Sequence, residues 1–222
     1  ELSVFRGFLR ISSGGCVLSD IPLDSILSVV VSGHASVYTH NLLQNLSESG
    51  TPLIICAKNY LPSAILLPLV GQSRQMEVQN EQIAITKPLQ KNLWQCIIKE
   101  KIRNQARVLK VLEKRDNLSS LVDNVASGDS GNVEAWAARL YFPALFGAKF
   151  IRDFNKKGIN AALNYGYAII RAALARFVVG SGLNPCFGLA HHNKLNPFCL
   201  VDDLIEPFRA VVDLRVYEMF SG

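Results

Sequence analysis

The feature that most constrains how this chain can fold is a change in the period of its apolar residues part-way along. From Glu1 to about Gly71, short apolar runs such as Phe8-Leu9-Arg10-Ile11 and Ile26-Leu27-Ser28-Val29-Val30-Val31 are broken by Gly, Pro, Ser and Asp, the pattern of strands and turns. Leu53-Ile54-Ile55-Cys56 reads as a further strand. Ala64-Ile65-Leu66-Leu67, bracketed by Pro62 and Pro68, closes the set, because proline is confined to strand edges and ends. Between these runs, Ala35 to Ser49 carries Val37, Leu42, Leu43 and Leu46 on one side and is followed by Gly50, the signature of a short amphipathic helix with a left-handed cap. The stretch from Gln72 to Gln82 then turns polar. Beyond it, Trp94, Ile98, Ile102, Ala106, Leu109 and Leu112 recur at helical spacing, as do apolar residues in Val133 to Phe150, Ala161 to Val179 and Leu200 to Val216. The expected fold class is α+β. A small β-rich, β-sandwich-like N-terminal domain spans residues 1–75, a linker 76–84, and an α-helical domain 85–222. The chain starts without methionine and ends just after a helix-like run, so residues are expected to be missing at both ends.

Composition narrows the class. A 49% hydrophobic and 18% charged chain of 222 residues is a folded protein and not a disordered one. The net charge of +5 favours a polyanionic partner, although charge alone does not separate nucleic acid from an anionic membrane or from mere solubility. Cys16, Cys56, Cys96, Cys186 and Cys199 lie far apart with no C-x-x-C pair, which argues against a zinc ribbon or a disulfide framework and for a reducing cytoplasm. No run approaches the roughly 18 apolar residues of a membrane span. A cytoplasmic protein with no membrane partner is the expectation.

Three residues separated in sequence could carry chemistry together. Glu134 opens a helix after the Ser127-Gly128-Asp129-Ser130-Gly131 loop. Its carboxylate could simply complement the helix dipole, but Ala135, Trp136, Ala137 and Ala138 follow, and a carboxylate near a core face needs a partner or a metal. His191 and His192 are adjacent and point in different directions, so one of the two is a ligand candidate and the other structural. In Asp202-Asp203-Leu204-Ile205-Glu206, Asp203 and Glu206 share one helical face. An imidazole with one or two carboxylates suits Mg²⁺ or Mn²⁺ better than zinc, and such an ion can activate a phosphodiester. Two basic groups could follow a phosphate backbone: Lys99, Arg103, Arg107, Lys110 and Lys114 on one helical stripe, and Lys149, Arg152, Lys156 and Lys157 farther on. Solvated helix faces and C-terminal dipole complementation are the plainer explanations of the same charges. Tyr141, Tyr165 and Tyr167 suit either the core or base stacking.

Four ordered motifs then carry a resemblance. They are Asn132-Val133-Glu134-Ala135-Trp136-Ala137-Ala138-Arg139-Leu140-Tyr141-Phe142, Leu163-Asn164-Tyr165-Gly166-Tyr167, Gly188-Leu189-Ala190-His191 and Asp203-Leu204-Ile205-Glu206-Pro207-Phe208-Arg209. Together they resemble the CRISPR adaptation integrase family, and the Glu206-Pro207-Phe208-Arg209 ending resembles its type II branch. The resemblance implies that Glu134, His191 (rather than His192) and Glu206 are catalytic and hold the metal, with Asp203 as an auxiliary acid. It also implies a homodimer formed through the N-terminal domain and a complex with the small second CRISPR adaptation protein. In the type II branch, the effector nuclease is a further candidate partner. The implied substrates are DNA, both incoming spacer fragments and the CRISPR repeat. The implied reaction is attack of a DNA 3′ hydroxyl on a repeat-boundary phosphodiester. A metal-dependent nuclease that hydrolyses branched or single-stranded DNA, and a non-catalytic DNA-binding scaffold, remain the alternatives.

Overall fold

The computed structural model describes residues 1–58, 62–69 and 75–221. It is strand-rich first and helical afterwards, as the change of period requires. Strands β1 (Leu2–Phe5), β2 (Phe8–Ser13) and β3 (Cys16–Pro22) form an antiparallel sheet in that order. Two tight turns join them, and Arg6-Gly7 and Gly14-Gly15 carry the positive φ angles that such reversals demand. Strands β4 (Val29–Val31), β5 (Leu53–Cys56) and β6 (Pro62–Leu66) form a second sheet, β4 parallel to β5 and β6 antiparallel to it. A parallel pair needs a long crossover, and helix α1 (His40–Glu48) supplies it. Thr39 caps α1 by accepting from the Leu42 amide at 3.3 Å, so the helix begins later than the apolar pattern from Ala35 suggests. Leu42 and Leu46 on its inner face pack with Leu9, Leu23, Val29, Val31 and Leu53 into a core shared by both sheets.

The chain divides into two compact units. The first comprises Glu1–Gln79 with Ala172–Leu183, and the second Asn80–Arg171 with Asn184–Gly222. The residues expected to form a linker are helical from Gln75 to Ile83 (α2). The remainder of the polar stretch, residues 72–74, lies outside the described residues.

The second unit is built on α3 (Lys87–Val111), a helix of 25 residues with Pro88 in its first turn, where a missing N–H costs nothing. Ile98, Ile102 and Leu109 are fully buried along its inner stripe. They meet Val133, Ala137, Tyr141 and Leu145 of α4 (Val133–Phe146), and Leu118, Leu121 and Val125 of the connection between the two helices. Helix α4 ends at Gly147, whose φ of 102° suits only glycine, so the helix stops before the Phe150 suggested by the pattern. Helix α5 (Ile159–Gly180) follows.

The last apolar stretch is not one helix. Helix α6 (Cys199–Leu204) gives way to a 3₁₀ turn, Glu206–Phe208, and then to α7 (Arg209–Ser221). Pro207 explains the break, since its ring excludes a continuous helical hydrogen-bond ladder. Gly166 allows α5 and α7 to touch: a Cβ there would lie 2.4 Å from Val212 Cγ1. No described helix is long and apolar enough to cross a membrane.

Candidate active site

The site lies within the second unit and is assembled from α3, α4 and the turn between α6 and α7. Lys101 projects from the buried stripe of α3. Its ammonium donates to Glu134 Oε1 at 2.5 Å and to Glu206 Oε2 at 2.5 Å. The two carboxylate oxygens therefore lie within about 5 Å of each other, where like charges repel by about 3 kcal/mol at an effective dielectric constant of ~20. The ammonium offsets that repulsion. Burial alone would lower the Lys101 pKa, but Glu206 and then Glu134 outweigh it and raise the value, so the amine stays charged.

Glu206 is also held by Arg209, the first residue of α7, whose Nε donates to Oε1 at 2.9 Å. Burial would raise the Glu206 carboxyl, yet Lys101 and then Arg209 hold it below the usual range. Glu134 is more open, with 30% of its side chain exposed against 7% for Glu206. It is not the residue that caps α4. Asp129 does that from the preceding loop, Oδ1 accepting from the Val133 amide at 2.9 Å and Oδ2 from the Glu134 amide at 3.1 Å. Glu134 is thus free to face Lys101.

His191 is set by a different acid. The fully buried Asp203 carboxylate accepts from three successive loop amides: Leu189 at 2.5 Å, Ala190 at 3.1 Å and His191 at 3.2 Å. His191 Nδ1 lies 2.6 Å from Asp203 Oδ1. A carboxylate partner fixes the Nδ1–H tautomer and leaves Nε2 as the nitrogen available to a ligand. Asp203 raises the His191 pKa through that hydrogen bond, against the opposing effect of partial burial. The loop approaches so closely that a Cβ on Gly188 would stand 2.4 Å from the His191 carbonyl oxygen and 2.9 Å from Asp203 Oδ2. The Trp94 indole meets the His191 ring edge-on, with centroids 5.9 Å apart. Beside this contact opens a 420 Å³ cavity lined by Lys87, Lys91, Trp94, Ser127, Ser130 and His192. His192 is exposed and does not share His191's bonds.

Of the expected ligands, Glu134 and Glu206 therefore converge on one cation, the Lys101 ammonium, while His191 is joined to Asp203. No three His, Cys, Asp or Glu side chains among the described residues close into a metal-binding cluster. The carboxylate pair still fits a hard divalent ion. It is oxygen-rich, partly buried, and already organised around a positive charge, for which the ammonium is a stand-in.

The basic stripe is divided by its contacts. Arg103 and Arg107 bind Glu100 at 3.3 and 3.0 Å, and Lys114 lies over the Tyr217 ring. Lys110 projects into solvent, and Lys99 is half-buried. In the second basic group, Lys149, Lys156 and Lys157 are exposed, but Arg152 turns inward to Asn160 at 3.0 Å and Asn164 at 2.5 Å. Tyr141 and Tyr167 are core residues, whereas Tyr165 is 40% exposed.

The sequence reading missed Lys101. It falls outside the 99-103-107-110-114 stripe and shares the buried face with Ile98, Ile102 and Gln105. A lysine on an apolar face must meet buried acid, and that was the available signal.

Comparison with known proteins shows the family. The family described as "CRISPR associated protein Cas1" matches residues 1–222. The chain belongs to the Cas1 family. A CRISPR-associated endonuclease Cas1 of Neisseria meningitidis serogroup C is 42% identical over 226 residues, which cover all of this chain and 73% of the relative. Among solved structures, a casposase bound to its integration product superposes with a TM-score of 0.81 at 19% identity, covering 99% of this chain and 70% of that one. A chain of a Cas6-RT-Cas1–Cas2 complex gives 0.74 at 18% identity, covering 99% of this chain and 26% of that one. At such identities the two structures speak for the fold.

Proposed function

We propose that this chain is a metal-dependent DNA integrase of CRISPR spacer acquisition, joining a DNA 3′ hydroxyl to a repeat-boundary phosphodiester. The observation that carries the reading is the convergence of Glu134 and Glu206 on one cation position, with Glu206 within electrostatic reach of His191. It agrees with membership of a family whose curated relatives are named endonucleases, and with the integration product held by the casposase of similar fold.

Glu134, Glu206 and His191 Nε2 would hold the ion. Bound there, Mg²⁺ or Mn²⁺ would neutralise charge building on the attacked phosphate and ease deprotonation of the attacking hydroxyl. The chain's own part is positional. Asp203 keeps the imidazole proton on Nδ1 and holds the ring in place, while Arg209 restrains Glu206. Arg209 also adds positive charge beside the site. Lys87 and Lys91, which form no ion pair among the described residues, stand at the neighbouring cavity and would draw in the DNA backbone. The homodimer, the small second adaptation protein and the type II effector nuclease are partners proposed on the family resemblance.

The test is a strand-transfer assay with short duplex DNA bearing free 3′ hydroxyls, a repeat-containing plasmid, Mn²⁺ and the second adaptation protein. Covalent joining by the parent chain, abolished in Glu134→Ala and His191→Ala proteins that remain folded, is the expected result. Metal-dependent nicking without joining would assign a hydrolytic nuclease instead. DNA binding undiminished by chelator, with neither reaction, would assign a scaffold.

A further inference from the structure

We infer that Lys101 is a built-in counter-ion that occupies the cation position between Glu134 and Glu206 and is displaced when a divalent ion enters. The inference rests on the metal-dependent reading above and adds a residue that opposes the metal to those that hold it.

Three observations lead to it. One oxygen of each carboxylate is engaged by the same ammonium at 2.5 Å, so the position between the two acids is already held by a cation. The lysine side chain is only 10% exposed and both acids are in direct contact with it, so its positive charge is paired in place between them. No cluster of three ligating residues is closed among the described residues while the ammonium is in place. A divalent ion entering here meets a fixed positive charge at close range and must displace its bonds to at least one carboxylate. The lysine stem is flexible enough to withdraw, since its four carbons end in a compact, freely rotating donor. The ammonium thus keeps the two acids together in the ion-free protein and weakens the affinity of the site for metal.

Arg209 does not share this role. It bonds Glu206 alone, through Oε1, and leaves Glu134 free. Removing Lys101 therefore leaves an oxygen-rich pair with an uncompensated charge, which is the donor set a hard cation prefers.

The test is a Mn²⁺ titration of the DNA-free full chain, with free Mn²⁺ followed by electron paramagnetic resonance and folding checked by circular dichroism. Lys101→Met is expected to bind Mn²⁺ at least ten-fold more tightly than the parent and to gain more in Tm from saturating Mn²⁺. Lys101→Arg keeps the charge and is expected to bind no more tightly than the parent. Should Lys101→Met not fold, Lys101→Gln is read in its place, because it removes the charge but keeps a donor to one acid. Equal or weaker binding in the neutral variants overturns the inference. If the parent nevertheless binds Mn²⁺ and Glu134→Gln does not, the metal reading stands without it. Absence of Mn²⁺ binding from the parent and every variant overturns both.

Discussion

Replacing Gly188 by alanine tests how tightly the His191 loop is fitted to its acid. The added Cβ would lie 2.4 Å from the His191 carbonyl oxygen, 2.9 Å from Asp203 Oδ2 and 2.9 Å from Cys199 Cβ. None of the three is the free end of a flexible chain. One is backbone, one is a carboxylate receiving four hydrogen bonds from the loop, and one is anchored in α6. Relief requires the loop to retreat by about 1 Å, enough to break charge-assisted hydrogen bonds that each contribute roughly 1.5–3 kcal/mol. Overpacking by itself costs about 1–3 kcal/mol. Allowing for partial relaxation, the expected loss is about 2–4 kcal/mol, or a fall in Tm of about 5–15 °C for a chain of this size. A misplacement of ~1 Å in a group at the reacting centre also lowers rate by about 100-fold, so strand transfer should fall by at least that factor below the melting temperature. Thermal unfolding and the strand-transfer assay read the two effects separately. Gly131→Ala is the control, because its Cβ meets only Val133 Cγ2 at an ordinary 3.6 Å. A Gly188→Ala protein that melts within 1 °C of the parent (~0.3–0.5 kcal/mol) and joins DNA at the parent rate would refute the reasoning.

Three other outcomes follow from the same geometry. Burial pushes the Asp213 carboxyl up to about 6, against the opposing hydrogen bond from Tyr167 and the nearby charges of Arg209 and Lys101. Its folded-state value therefore exceeds the unfolded ~3.9, and this group's contribution to stability is lost as pH rises from about 4 to about 6. Asp213→Asn should flatten that part of the Tm-against-pH curve, and an unchanged curve would contradict the assignment. Arg152→Ala should lower Tm, because it strips hydrogen bonds from Asn160 and Asn164, whereas Lys149→Ala should leave Tm within about 1 °C (well under 0.5 kcal/mol, as for other exposed changes) and weaken only DNA binding. Replacing Lys87 and Lys91 together by alanine should weaken DNA binding in a filter assay and reduce the slope of log K against log salt by up to about two. An unaltered slope would exclude phosphate contacts at the cavity.

The division into a strand-rich and a helical part was legible because each half repeats one period over many residues. Boundaries were less so. The Ala35 to Ser49 pattern overruns the start of α1 because Val37 is apolar but exposed, and only the Thr39 cap shows where the helix begins. The polar stretch after Gln72 reads as a linker because of its composition, yet polar composition does not prevent a helix, and Gln75–Ile83 forms one. In the site, the identities of Glu134, His191, Asp203 and Glu206 could be named from motifs, but their pairing could not. The sequence suggested one group of three ligands, and the fold makes two pairings, Glu134 with Glu206 through Lys101 and His191 with Asp203. Those pairings depend on the Pro207 break and on the close approach at Gly188, which are three-dimensional facts. Arg152 reads from the sequence as part of a basic group that could follow a phosphate backbone, because nothing local shows that Asn160 and Asn164 turn toward it.

The bond between Lys101 and Glu206 joins residues 105 positions apart, whereas Lys101 and Glu134 are separated by 33. On the ribosome, where chains lengthen by about 5–20 residues per second, the lysine and the first acid emerge within seconds of each other, while the second acid has yet to be made. Until Glu206 arrives, Lys101 has one acid of its two as a partner and the buried cluster is incomplete. The second acid joins that pair only when α6 and the turn beyond it have docked against α3, so the buried cluster of charges is completed by the C-terminal part of the second unit.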